Sequence, residues 1–248
     1  YVISHCCSVS DVLEVAVLLR EVGIVRPARA GARPTRRSRG WGRLCRSRAH
    51  GRIRAFGRIR RGGPLVRRRH GIGTVINRHV VDLNTRIDLE MEFGTMLRFA
   101  GYESQAVLLG VEVKTNDEMI AEKLQVSLNT PILTVVKLIL ADEKPAIFFI
   151  DYIAFSIIDD FSYTHADLEH NVFHFLEKFC HEEVAYDVTG VKPIIADSRL
   201  SEILQIAEGD PILYLNEQAY NIENQVVLYS QEYYADGILD HTIFRRKI

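Results

Sequence analysis

Leu124-Gln125-Val126-Ser127-Leu128-Asn129-Thr130-Pro131-Ile132-Leu133 returns at an offset of 80 residues as Leu204-Gln205-Ile206-Ala207-Glu208-Gly209-Asp210-Pro211-Ile212-Leu213. Self-similarity at a fixed offset marks a structural unit used twice. A short helical pattern precedes each copy, over residues 117–124 and 198–204, with Asn116 and Asp197 where a helix N-cap would sit. Two β-type runs joined by a turn follow each copy. In the first, residues 134–141 turn at Asp142-Glu143-Lys144 into 146–154; in the second, residues 214–220 turn at 221–224 into 225–234. Leading strands are expected at 104–114 and 184–196. One unit is therefore strand, helix, strand, turn, strand.

Between the copies, Leu168, Val172, Phe175, Leu176 and Phe179 fall at helical spacing, so residues 168–180 read as one helix. Residues 91–100 read as an opening helix and 241–247 as a closing strand. The expected fold is α+β: a mostly antiparallel sheet of six or seven strands in hairpins, with helices on one side. Two half-units that face each other leave a cleft between them, where a ligand is expected.

The rest of the chain has a different texture. Residues 1–70 carry 18 arginines and no lysine against three acids (Asp11, Glu14, Glu21), whereas residues 71–248 carry 13 basic residues against 29 acids. A basic half joined to an acidic half points to nucleic-acid contact at one end. Residues 26–64, dominated by Arg, Gly and Ala, show neither helical nor strand periodicity and cannot bury enough apolar surface to offset their ordering entropy. Disorder is the direct expectation, and an arginine-rich tail that folds on nucleic acid is one functional reading. A second explains the absence of lysine better: Arg, Gly, Ala and Pro are the vocabulary of a GC-rich gene read out of frame, so the tract is read as a frameshifted helix-turn-helix. Before it, residues 10–22 read as one short helix capped by Ser10 or Asp11. No run of 18 apolar residues predicts a membrane span, and residues 1–25 lack the basic start and cleavage site of a signal peptide. Cys6, Cys7, Cys45 and Cys180 make neither disulfide nor zinc spacing, so a cytoplasmic setting is expected, with no metal or cofactor.

At Leu65 the β pattern begins. Leu65-Val66-Arg67-Arg68-Arg69-His70-Gly71-Ile72-Gly73-Thr74-Val75-Ile76 reads as strand, tight turn, strand. The glycines let a backbone approach DNA, and the arginines offer phosphate contacts. Residues 77–88, mixed polar and β-branched, read as a linker.

Residues 65–76 resemble the wing of a GntR-type winged helix. Residues 89–248 resemble the UTRA domain, the effector-binding half of HutC-type GntR regulators, which shares the chorismate lyase fold. The resemblance rests on Ala100-Gly101-Tyr102, Ala121 to Leu124 before Pro131-Ile132-Leu133, Leu140-Ala141-Asp142 with Pro145, Asp151-Tyr152, Pro211-Ile212-Leu213, Tyr229-Ser230 and Tyr233-Tyr234. It implies a domain plan of a degraded or frameshifted winged helix-turn-helix over 1–76, a linker over 77–88, and a sensor over 89–248. It also implies a dimeric DNA-binding repressor controlled by a small effector, with an operator as partner. Arg67, Arg68, Arg69, Gly71, Gly73 and Thr74 would be its DNA contacts.

The resemblance further implies where the effector binds. Two phosphate-gripping arginines of sugar-phosphate-binding members fall on Lys137 and Ile139, so one cation is kept and one lost. Asn171 takes the polar position at a helix N-terminus, and Phe173 stands in place of a tyrosine. Phe149 and Leu228 replace acids that hold sugar hydroxyls, and Tyr234 keeps an aromatic with a polar tip. A mostly apolar or aromatic monoanion is the expected effector. The alternatives are a metabolite-binding module without sequence-specific DNA binding and a chorismate lyase-like enzyme, for which Lys137 is the one evident cation. His170 and His174, four apart on the expected helix with His181 beyond, lack the intervening Glu of a metalloprotease motif. Asp159-Asp160 reads as a solvated turn.

Overall fold

The computed structural model describes residues 66–69, 73–76, 85–89, 91–243 and 245. One compact unit contains a hairpin of β1 (Val66–Arg69) and β2 (Gly73–Ile76), antiparallel, with Arg67 opposite Val75, Arg68 opposite Thr74 and Arg69 opposite Gly73. The strand pair expected over 65–76 is thus present. Its tip at residues 70–72, the expected helix over 10–22, the tract over 26–64 and the linker up to residue 84 lie outside the described residues.

Asn84–Ile243 belongs to a second unit, built on a six-stranded sheet. Its strands are β3 (Ser104–Thr115), β4 (Pro131–Ala141), β5 (Lys144–Ala154), β6 (Tyr186–Ile195), β7 (Pro211–Tyr220) and β8 (Val226–Tyr234). Their order is β3-β4-β5-β8-β7-β6, and every neighbouring pair is antiparallel. The two copies of the repeat therefore meet at β5 and β8, related by a pseudo-twofold axis. The helices of the copies, α2 (Glu118–Leu124) and α5 (Ser198–Leu204), cross that axis: α2 packs on β8 as well as β5, and α5 packs on β5 of the other copy. α1 (Phe93–Ala100), α3 (His165–Glu169) and α4 (Val172–Phe175), the last continued by a π-helical turn over Leu176–Cys180, complete the unit. Among the described residues, no helix is long and apolar enough to cross a membrane.

The repeat holds down to single hydrogen bonds. Ile120 N–H donates to Asp117 Oδ1 at 2.9 Å, and Leu200 N–H to Asp197 Oδ1 at 2.8 Å. Each helix then ends on a glutamine in the left-handed region, Gln125 at φ 55° and Gln205 at φ 54°. The first N-cap is therefore Asp117 and not Asn116. Asn116 instead ties the following turn, its Nδ2 donating to Ser127 O at 2.9 Å and its Oδ1 accepting from Thr130 N–H at 3.0 Å. Because the two caps are equivalent, Asp117→Ala and Asp197→Ala should each lower stability by about 1 kcal/mol. Urea denaturation checks this; unequal losses would show that the two copies are not energetically alike.

The β4–β5 turn is tighter than expected. Asp142 and Glu143 alone form it, both at positive φ (47° and 68°), as a type I′ hairpin requires, and Lys144 joins β5. β4 is buried at every position after Pro131, and β5 at all but Lys144 and Tyr152. Such unbroken burial requires cover on both faces. One face carries α2 and α5, where Ile120, Leu124, Leu200, Ile203 and Leu204 meet Leu138, Phe148 and Ile150 or Ile132 and Tyr229. The other carries α1, α3 and α4, where Leu97, Leu168 and Phe175 meet Ile139 and Ile147 or Leu133 and Ile153. The helices thus lie on both sides of the sheet, not on one.

Two further expectations change. The helix over 168–180 is broken at His170, whose backbone is extended (ψ −178°), and restarts from Asn171 as N-cap. His170 and His174 are consequently not successive turns of one helix. The closing strand reduces, among the described residues, to a parallel bridge between Arg86 and Thr242. There Thr242 N–H donates to Thr85 O at 2.8 Å and Ile87 N–H to Thr242 O at 2.9 Å.

Candidate functional site

On the face that carries α1, α3 and α4, cross-strand pairing sets polar side chains in two rows. One row runs Asp151 (β5), Ser230 (β8), Glu217 (β7), Thr189 (β6). The next runs Lys137 (β4), Phe149 (β5), Glu232 (β8), Leu215 (β7). Directly paired residues share a sheet face, so these side chains stand together at the junction of the two repeats. Of these, Asp151, Ser230, Glu217, Lys137, Phe149 and Glu232 form the floor of a cavity of about 180 Å³ roofed by residues of α1, α3 and α4 and their approaches.

The floor is charged and buried. Lys137 and Asp151 are 3% and 2% exposed, and Lys137 Nζ lies 3.7 Å from Asp151 Oδ2. Lys137 Nζ also donates to His170 O at 3.0 Å and sits 5.1 Å from the centre of the Phe149 ring. Burial pushes the Lys137 ammonium down and the Asp151 carboxyl up from their ordinary ranges, and the charge of each pulls the other back. Ser230 Oγ donates to Asp151 Oδ1 at 2.7 Å, but Asp151 Oδ2 has no hydrogen-bond partner. Thr189 Oγ1 donates to Glu217 Oε1 at 3.0 Å, and the Tyr234 hydroxyl donates to Glu232. Burial, opposed by the Thr189 hydrogen bond and reinforced by Asp187 and Asp151, pushes the Glu217 carboxyl up to about 7.

The structure brings most of the expected effector residues together. Lys137, Ile139, Phe149, Asn171, Phe173 and Leu228 all line the cavity. Tyr234 lies in a smaller neighbouring cavity of about 30 Å³ and reaches the main one through Glu232. The Asn171 side chain accepts from Phe173 N–H at 2.8 Å, which occupies one of the N–H groups at that helix N-terminus. Sequence reasoning missed the acids: Asp151, Asp187, Glu217 and Glu232 face the same space. A signal for them existed. An aspartate inside the apolar run Ile147-Phe148-Phe149-Ile150-Asp151 has the same strand parity as Phe149, and Glu232 the same as Leu228 and Tyr234. The cavity therefore offers one cation already engaged by three partners, and several carboxyls.

A cleft between two copies of one sheet unit, floored by buried ionisable groups, defines a ligand-binding domain. Residues 100–236 match the UTRA domain, more than half of the chain, and the chain belongs to that family. Solved structures share its fold. A possible transcriptional regulator, YydK, from Bacillus subtilis subsp. subtilis str. 168 is 14% identical with a TM-score of 0.63, over 73% of this chain and 76% of that one. PhnF from Mycobacterium smegmatis is 17% identical with a TM-score of 0.60, over 73% of this chain and 78% of that one. A GntR-family transcriptional regulator from Enterococcus faecalis V583 is 20% identical with a TM-score of 0.53, over 57% of this chain and 100% of that one.

Proposed function

We propose that this chain is a transcription regulator of the HutC type within the GntR family, a cytoplasmic homodimeric repressor that leaves its operator or binds it according to a small effector. The observation that carries the reading is the UTRA cavity itself. Its buried Lys137 and Asp151 and half-buried Glu217 weaken a core that a scaffold would fill with apolar side chains. The naming of the solved structures as transcriptional regulators supports it. The β1–β2 hairpin supports its wing, with Arg67, Arg68, Arg69, Gly71, Gly73 and Thr74 as phosphate-approaching positions. Twofold symmetry follows from the palindromic half-sites that such readers use. The cavity wall includes Met91, Glu92, Phe93 and Gly94, directly after the segment that Thr85, Arg86 and Ile87 pin to residues 240–242. A ligand that displaces this wall displaces the end of the linker.

Selection of bound fragments from a random DNA pool at moderate salt tests the reading. A twofold-symmetric sequence should be enriched, and its complex should persist when salt is raised to physiological strength. Binding that is independent of sequence and lost with salt, the behaviour of an arginine-rich tract alone, would refute sequence-specific regulation by this chain.

A further inference from the structure

We infer that the effector is a small organic cation, a primary amine on an apolar body, whose ammonium is held by Asp151, Glu217 and Glu232; this rests on reading the junction cavity as the effector site. Asp151 Oδ2 is an acceptor without a donor in a buried carboxylate that lines the cavity, and its nearest cation, Lys137 Nζ, stands 3.7 Å away, beyond hydrogen-bond reach. A buried acceptor left unmet is costly, and a ligand donor removes that cost. Glu217, directly opposite Ser230, and Glu232, two residues along β8 from it, stand on adjacent rows of the same face, and burial pushes the Glu217 carboxyl up to about 7. An ammonium offsets the negative charge that burial disfavours there. It carries three N–H donors and no acceptor, matching a floor on which, among the described residues, carboxyls outnumber the one lysine.

The alternatives fit less well. An anion would meet Asp151, Asp187, Glu217 and Glu232, and would find Lys137 committed to Asp151, the His170 carbonyl and the Phe149 ring. Among the described residues, no three acids or histidines are grouped so as to hold a metal ion. Above the carboxyls the wall is apolar: Phe93, Ile139, Phe149, Phe173 and Leu228. A cavity of about 180 Å³ is slightly larger than one that accepts benzene, which sets the body at roughly one ring with a short chain.

The test holds shape constant and changes charge. Phenethylamine, 2-phenylethanol and phenylacetate are titrated into the full chain at pH 8, with thermal unfolding and calorimetry as readouts. Phenethylamine should raise the midpoint by several degrees, the alcohol should do little and phenylacetate nothing. Glu217→Gln and, separately, Glu232→Gln should weaken the amine at least about tenfold while both variants stay folded. A response to phenylacetate above that to the amine, equal responses to all three, no response to the amine, or an amine response indifferent to both substitutions would overturn the inference. A carboxylate-only response would leave the regulator reading standing, whereas loss of DNA selection would leave the ligand class standing.

Discussion

Lys137→Met is expected to lower the unfolding free energy of the domain by about 3–5 kcal/mol, the cost of leaving a buried carboxylate without its partner. Lys137 and Asp151 are almost fully enclosed, so water cannot take over when one is removed. The methionine keeps the aliphatic stem and its packing against Phe149, which isolates the charge from the volume. Domains of ordinary stability have only about 5–15 kcal/mol in hand, so the variant should be marginal at 37 °C. Two controls separate electrostatics from packing. Lys137→Met combined with Asp151→Leu, which removes both charges, should recover most of the loss, since a buried pair replaced by apolar groups is often neutral. The single variant should also fare better at pH 5 than at pH 8, because the Asp151 carboxyl, already pushed up by burial, escapes its penalty by taking a proton. Urea denaturation at both pH values gives all three numbers. A single variant within about 1 kcal/mol of the parent would show that the pair is more hydrated than its burial implies.

The repeat made the architecture readable because it is written in local signals. A cap aspartate, a helix of seven residues, a left-handed glutamine and a Pro-Ile-Leu strand start recur at fixed spacing, each with its own short-range cause. What failed depended on long-range cover. The unbroken apolar run of β4 signalled a strand buried on both faces, yet periodicity cannot say which helices provide the cover. The helix over 168–180 kept its apolar spacing through the break because Leu168 and Phe175 fill the same core from two separate helices. Asn171, which starts the second of them, looks in sequence like any polar helix residue. At the site, Lys137, Ile139, Phe149 and Leu228 could be placed through resemblance to the family. The carboxyls could not, because Glu217 and Glu232 come together only through the pairing of β7 with β8, and Asp151 only through β5 with β8.

Glu217→Gln is expected to stabilise the domain at pH 8 and leave it nearly unchanged at pH 5. The Glu217 carboxyl has an ordinary value of 4.5 and stands at about 7 in the folded domain. Between those values the folded state holds a proton that the unfolded chain has released. Folding stability therefore falls as pH rises from 4.5 to 7, and above 7 the loss is complete. A shift of that size corresponds to at most about 3 kcal/mol, less what partial hydration of the side chain screens. Glutamine cannot ionise, so it avoids the loss while its carbonyl still accepts from Thr189. Besides burial, the groups that set the shift are Thr189 and Asp187 on β6, Asp151 on β5 and Glu232 on β8; Lys137 on β4 and Glu92, Glu169 and His170 in the roof face the same cavity. All are present in both proteins, so the difference between variant and parent reports Glu217. Thermal unfolding from pH 5 to pH 8 should show the variant's advantage opening between about pH 5 and 7 and then holding level. A constant offset at all pH values would mean that Glu217 is ionised throughout.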